Sequence, residues 1–256
     1  MDRQAKVKSL SKAMDILDLL SQSDGGFSLS EISVRLGFPK STTHALLSTM
    51  RDRGLIAQLP SGVYTLGLKL FEYGAAVSRG FDITKVSRPY LERLSSVTGS
   101  TAVITMLSLD TAVSFDYARS QAGVQIMPEI GSRLPLHATS QGKLLLSSMS
   151  ELKVRSILKK TGMPSYTPHT VASPEELFHS LEEIGSQGFS VEDGEYKIGL
   201  RSVSAPVYDS TGGLKYALTT VGFFRRKDSE EFLQAIEQTK KEALRLSQAL
   251  GYKNGL

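Results

Sequence analysis

The segment SQGKLLL, residues 140–146, sets a hydroxyl, an amide, a glycine and an ammonium ahead of an apolar run. A loop of this kind entering a helix offers free N–H groups that can hold a phosphate or a carboxylate. A nucleotide-hydrolysing P-loop also needs a glycine five positions before Gly142 and a Ser or Thr after Lys143. Those positions hold His137 and Leu144, which excludes nucleotide hydrolysis. An anion seat and an ordinary helix cap both remain open for Ser140, Gln141 and Gly142. Glu192, Asp193 and Glu195 form a second cluster, compatible with a general acid/base pair, a ligand-binding pair or a solvated turn. His44, His137, His169 and His179 lack zinc spacing, no cysteine is present, and no G-x-S-x-G occurs. No cofactor, metal or catalytic pair is therefore expected, and an enzyme would have to rest on Glu192, His137 or Glu195 alone.

A third stretch, GFPKSTTHALLSTMRDRG at residues 37–54, could read something outside the protein. At helical spacing Thr43, Leu46, Leu47 and Met50 face a core, while Lys40, His44, Ser48 and Arg51 share another face with Ser41 and Thr42 in the first turn. Short hydroxyls and basic residues at a helix start suit phosphates and base edges of DNA. A merely solvated face, or a helix that docks a protein, fits the same pattern.

These groups need positioning elements. Leu10, Ala13, Met14, Leu17 and Leu20 form a stripe on a first helix. Ser28 and Glu31 have capping-box spacing for a second helix that stops at Gly37. Pro39 opens the third helix, which Gly54 ends, and LIAQLPSGVYTLG (55–67) reads as a hairpin. This order is that of a winged helix-turn-helix, or of a plain three-helix core with an incidental hairpin. Residues 66–81 form a linking helix with Leu66, Leu70, Tyr73 and Val77 on one side. Pro89 predicts a kink or break in the next helix, 83–99. From Ser100 strand-like runs alternate with helices: two around Asp110, VQIMPEI, FSVEDGEYK, RSVSAPVYD and KYALTTVGFF, with helices near 140–149, 151–162, 173–188 and 229–250. Ser173 and Glu176 repeat the capping-box spacing. The fold class is α+β.

The 256 residues allow one or two domains. The absence of a long apolar run and of a signal-peptide core predicts no membrane span and a cytoplasmic protein. The net charge of +4 permits nucleic-acid binding without demanding it. Residues 1–66 carry eight basic and six acidic side chains, so phosphate contact there must come from placement.

Taken together, GFPKSTTHALLSTMRDRGLI, YTLG at 64–67, LPLHATSQGKLLL and GFSVEDGEYKIGLRSVSAPVYD resemble the IclR family of bacterial transcription regulators, in order and in spacing, from about Leu10 to Leu250. The resemblance implies a DNA-binding winged helix-turn-helix at 1–66 and a linker helix at 67–80. It implies a GAF-like antiparallel-sheet effector domain at 81–256. Homodimers or homotetramers would bind a pseudo-palindromic operator on double-stranded DNA, mostly as repressors. The effector would be a small carboxylate, an aromatic acid or a sugar acid. Carried over by motif, the DNA contacts are Lys40, Ser41, Thr42 and His44, with Ser28, Ser48 and Arg51 completing the set. Many members carry Arg where this chain has Ala45, which alters the expected operator preference. The effector contacts are Ser140, Gln141, Gly142, Glu192, Ser202, Thr219 and Val221. Members often have Cys near Ser202 and a smaller residue near Gln141, so the amide should shrink or repolarise the pocket.

Overall fold

The computed structural model describes residues 7–23, 25–80, 82–119 and 126–253. The chain forms two compact units, residues 1–82 and 83–256. No helix among the described residues is long and apolar enough to cross a membrane.

The first unit contains α1 (Lys8–Leu20), α2 (Leu29–Leu36), α3 (Lys40–Asp52), β1 (Ile56–Gln58), β2 (Tyr64–Leu66) and α4 (Leu68–Gly80). The Ser28/Glu31 capping box is complete, and Gly37 ends α2 in the left-handed region at φ 67°. Ile16, Leu20, Ile32, Leu47, Met50, Ile56 and Tyr64 form one core. The α1 stripe is rotated from the expected one: Ile16 is buried, whereas Leu10 and Met14 are 57% and 47% exposed. The core takes the set Ala13, Ile16, Leu17 and Leu20, which α-helical geometry also places on one side. β1 and β2 form the expected hairpin, with Ile56 opposite Leu66 and Gly62 in the turn at φ 84°. On α4 no buried stripe exists among the described side chains. Leu68, Phe71 and Tyr73 are exposed, and the side chain of Val77 lies outside the described residues.

The second unit contains α5 (Asp82–Thr98), β3 (Thr101–Ser108), β4 (Thr111–Ala118), β5 (Arg133–Leu134), α6 (Ser140–Ser147), α7 (Glu151–Thr161), α8 (Pro174–Gln187), β6 (Ser190–Asp193), β7 (Arg201–Tyr208), β8 (Leu214–Gly222) and α9 (Glu230–Ala249). The strands make one antiparallel sheet in the order β5-β4-β3-β8-β7-β6. Three expectations need correction. The break expected at Pro89 is absent: α5 continues through that residue, which lies exposed. Ile126–Ile130 of VQIMPEI is not a strand, and Val124 and Gln125 lie outside the described residues. The edge of β4 is paired instead by Arg133–Leu134. FSVEDGEYK is strand only to Asp193, where Gly194 (φ 71°) turns the chain. The second capping box is half made: Ser173 accepts from Glu176 N–H.

Period-2 alternation divides the sheet's side chains. Val203 points to a core shared with Phe224, Phe232, Ala235 and Ile236, which seats α9. Ser202, Ser204 and Thr219 point to the opposite face, where α6 packs. α6, α7 and α8 share their own apolar cluster above that face, centred on Leu144, Leu146, Ile157 and Leu177.

Candidate functional site

In the first unit α3 sorts its residues as the spacing predicts. Thr43, Leu47 and Met50 are buried, and Leu46 is half-buried. Thr43 also accepts a hydrogen bond from Ser33 Oγ at 3.0 Å, which fixes α3 against α2. Lys40, Ser41, His44 and Arg51 are exposed, and Thr42 and Ser48 are half-buried. Ala45, on the same exposed side, adds no polar group. Arg51 Nη1 donates to Gln58 Oε1 at 3.0 Å and so ties α3 to the hairpin. Ser28 is the N-cap of α2. Its hydroxyl and N–H both donate to Glu31 Oε2, at 2.7 and 2.8 Å.

In the second unit a cavity of about 490 Å³ opens against the sheet. Five expected residues, Gln141, Glu192, Ser202, Thr219 and Val221, line it together with Thr139. Thr139 caps α6 by accepting from Gly142 N–H at 3.2 Å, and the N–H groups of Ser140 and Gln141 find no acceptor among the described residues. Ser140 sits behind the wall, fully buried. Its Oγ lies 2.7 Å from Ser202 Oγ and 2.8 Å from Ser204 Oγ, and 3.2 Å from Gln141 Oε1. Gly142 also lies off the cavity. A Cβ there would stand 2.5 Å from the Leu136 carbonyl oxygen, so its role is close packing.

The three carboxylates of the acidic cluster take different partners. Asp193 pairs with Arg201 at 2.7 Å. Glu195 is held in a buried pair with Lys143 at 2.5 Å, which draws that ammonium away from the cavity. Glu192 is 2% exposed in the cavity wall; Oε1 accepts from Tyr196 N–H at 3.1 Å and Oε2 from Ser202 Oγ at 3.0 Å. Burial pushes its carboxyl up to about 7, against smaller lowering by these hydrogen bonds. Arg133, Lys197 and Glu129 supply the remaining charge of the cavity lining.

That raised value predicts a pH effect. The unfolded chain holds this carboxyl at 4.5, so its contribution to stability is full below pH 4.5 and is lost as pH rises through 7. Glu192→Gln removes the group, so its stability relative to wild type should rise by about 1.4 kcal/mol per pH unit across that window. Urea titrations at several pH values check this; a constant difference would assign Glu192 no raised titration.

The loop after β6 carries Tyr196 into the cavity lining and is clasped from outside. Thr167 Oγ1 donates to Gly194 O at 2.7 Å and Thr170 Oγ1 to Glu195 O at 2.6 Å. Tyr196 packs edge-on against Tyr166, which in turn lies beside His137, at centroid distances of 5.1 and 5.9 Å. His137 is buried with Nε2 3.0 Å from Pro164 O, and burial lowers its basicity, so it holds structure. Among the described residues no group of His, Asp and Glu could hold a metal ion.

Sequence comparison decides what this pair of units is. Residues 75–248 match the bacterial transcriptional regulator IclR C-terminal model, and residues 9–60 match the IclR helix-turn-helix domain model. The chain belongs to the IclR family. It is therefore a DNA-binding transcriptional regulator and not an enzyme. It is 33% identical over 247 residues to the HTH-type transcriptional regulator XynR of Escherichia coli K12, covering 96% of this chain and 98% of XynR. It is 31% identical over 251 residues to the HTH-type transcriptional repressor AllR of the same strain, covering 98% and 93%. The fold matches an IclR homolog from Microbacterium hydrocarbonoxydans, complexed with 4-hydroxybenzoate, at TM-score 0.81 and 21% identity, over 94% and 98% of the two chains.

Sequence reasoning missed Ser204, Thr139 and Tyr196 in this IclR regulator. Ser204 was within reach, because residues two apart on a strand share a face and Ser202 was already singled out. Arg133 and Met127 carry no such local signal, because only the tertiary fold brings them to the cavity.

Proposed function

We propose that this regulator is a cytoplasmic homodimeric repressor of a pseudo-palindromic operator, responsive to a small organic acid that bears hydroxyl groups. The cavity carries the second half of this reading. Its hydroxyls, the unpaired N–H groups at the start of α6 and the Arg133 and Lys197 side chains suit a carboxylate, and Glu192 suits a ligand hydroxyl. The bound 4-hydroxybenzoate of the Microbacterium relative is a ligand of this class. Ser140 and Gly142 act from behind the wall, whereas Gln141, Glu192, Ser202, Thr219 and Val221 meet the ligand.

On DNA, α3 enters the major groove with Lys40, Ser41, Thr42, His44 and Ser48, and Arg51 braces the hairpin. Ser28 is set aside, since its polar atoms are committed to the cap. Unpartnered Leu10 and Met14 on α1 and Leu68 and Phe71 on α4 give subunits an apolar surface to share; the second unit would extend dimers to tetramers. Residues 1–66 bind DNA, 81–256 bind effector, and the helix of 67–80 couples them.

Selection from random DNA should return two related half-sites about one helical turn, or a multiple of it, apart. Lys40→Ala should weaken binding to the selected site and reduce the log–log salt slope by about one, as loss of one phosphate contact does. Enrichment of no sequence sinks the operator reading; an unchanged slope removes Lys40 from the contact set.

A further inference from the structure

Glu192, Ser202, Ser140, Ser204 and Thr219 form an unbroken line of hydrogen-bonding side chains, with steps of 3.0, 2.7, 2.8 and 2.8 Å. The line begins and ends in the cavity wall, at Glu192 and Thr219, and of its three inner members Ser140 and Ser204 are fully buried and outside the lining. Register explains the arrangement. Glu192 pairs with Ser202 across β6–β7, and Ser204 pairs with Thr219 across β7–β8, all on the face covered by α6. The Ser190 hydroxyl, opposite Ser204, makes no hydrogen bond and does not branch the line; the one side-chain branch among these contacts runs from Ser140 Oγ to Gln141 Oε1 at 3.2 Å.

Each hydroxyl has one proton to give, and Ser140 can spend its own either along the line or on Gln141 Oε1. With Glu192 ionised, Ser202 must donate to it. With the Ser140 proton turned from Gln141 Oε1 into the line, Ser202 accepts from Ser140, Ser140 from Ser204, and Ser204 from Thr219. The Thr219 proton is locked inward and a lone pair faces the cavity. With a proton on Oε2, Glu192 donates to Ser202 and that lock is undone. The donors run the other way, and Thr219 can aim its proton into the cavity.

We propose that this line is a polarity relay: the charge state of Glu192 sets whether Thr219, two strands away in the same cavity lining, offers a donor or an acceptor to the ligand. Ser140 and Ser204 are then positioning residues for specificity, acting without touching the ligand. With Glu192 neutral the cavity presents a donor and no negative charge there, which fits a carboxylate. With Glu192 ionised it presents an acceptor and a negative charge, which fits a cation or a neutral polyol. A carboxylate is thus captured together with a proton. This consequence rests on the acid-sensing reading above; the relay itself does not.

Other charges around Glu192 are few or already engaged. From α6, Lys143 is paired with Glu195; on β6 and β7, Asp193 is paired with Arg201. Glu195 raises Glu192 further, and Glu129, Arg133 and Lys197 share the cavity lining. Because burial places Glu192 to titrate near neutrality, both relay states occur at ordinary pH.

The test uses the full chain without ligand, labelled for NMR at glutamate carboxyl and threonine methyl carbons. In wild type the Thr219 methyl should shift with the same midpoint as the Glu192 carboxyl. Ser204→Ala and, cut elsewhere, Ser140→Ala should each abolish the Thr219 step while Glu192 still titrates. A Thr219 step that survives both cuts, or is missing in wild type, overturns the relay. 4-Hydroxybenzoate is then titrated between pH 6 and 8. Affinity should fall, approaching tenfold per unit above the Glu192 midpoint, and less steeply in Ser204→Ala. Binding that ignores pH overturns the coupled capture. Absence of binding by this probe and by acetate counts against the acid-sensing reading, while the threonine signal alone judges the relay.

Discussion

Leu47→Ala should abolish operator binding and leave the effector unit folded. Leu47 is fully buried at the centre of the first unit, against α1, α2 and β1 residues including Ile16, Leu20, Ile32 and Ile56. Truncating a leucine at such a site costs about 2–5 kcal/mol, combining lost transfer energy with an unfilled cavity. A unit of this size is stable by only about 5–10 kcal/mol, so from about a fifth to all of its stability goes. Urea unfolding followed by circular dichroism should show an early transition for residues 1–82 and an unshifted later one for residues 83–256. A single transition shifted as a whole would mean that the two cores melt together. Unchanged DNA affinity would mean that α3 does not need this core.

The second large effect is expected at Gly142→Ala. An added Cβ would sit 2.5 Å from Leu136 O, 2.6 Å from Leu136 Cα and 2.7 Å from Thr139 Oγ1. Two of these atoms are backbone and the third is the α6 cap, so no flexible tip can swing away. Overpacking of this kind costs about 1–3 kcal/mol. Relief by shifting the start of α6 would displace Gln141 and Ser140, and with them one wall of the cavity and the centre of its hydroxyl line. The expected result is a lower melting temperature for the second unit and weaker carboxylate binding, with DNA affinity in the absence of effector unchanged. A melting temperature equal to wild type would show that the loop from Leu136 to Thr139 gives way freely.

Much of this was legible in the chain. The Ser28–Glu31 spacing, the glycines at 37 and 62 and the apolar spacing within α3 are local signals, and each produced the element it announced. α1 shows where such signals stop. Its apolar residues are numerous enough to suggest two stripes, and only packing against α2 and α3 selects the one containing Ile16. VQIMPEI has strand composition but no described strand partner. β5 forms at Arg133–Leu134 because that is where the chain lies beside β4. The cavity was half legible. Glu192, Ser202 and Thr219 came from motif likeness, whereas the separation of Glu195 and Asp193 from Glu192 depends on Lys143 and Arg201, which no spacing rule pairs with them.

The clasp of Thr167 and Thr170 on the loop after β6 has a bearing on how such a regulator diversifies. These threonines lie in the connection between α7 and α8 and do not line the cavity, yet they hold the segment that delivers Tyr196 to it. If the cavity holds the proposed effector, drift in that connection would retune which molecule is sensed while every lining side chain stays the same. On that reading a duplicated copy would acquire a new effector through outlying changes, with its DNA-binding unit inherited intact.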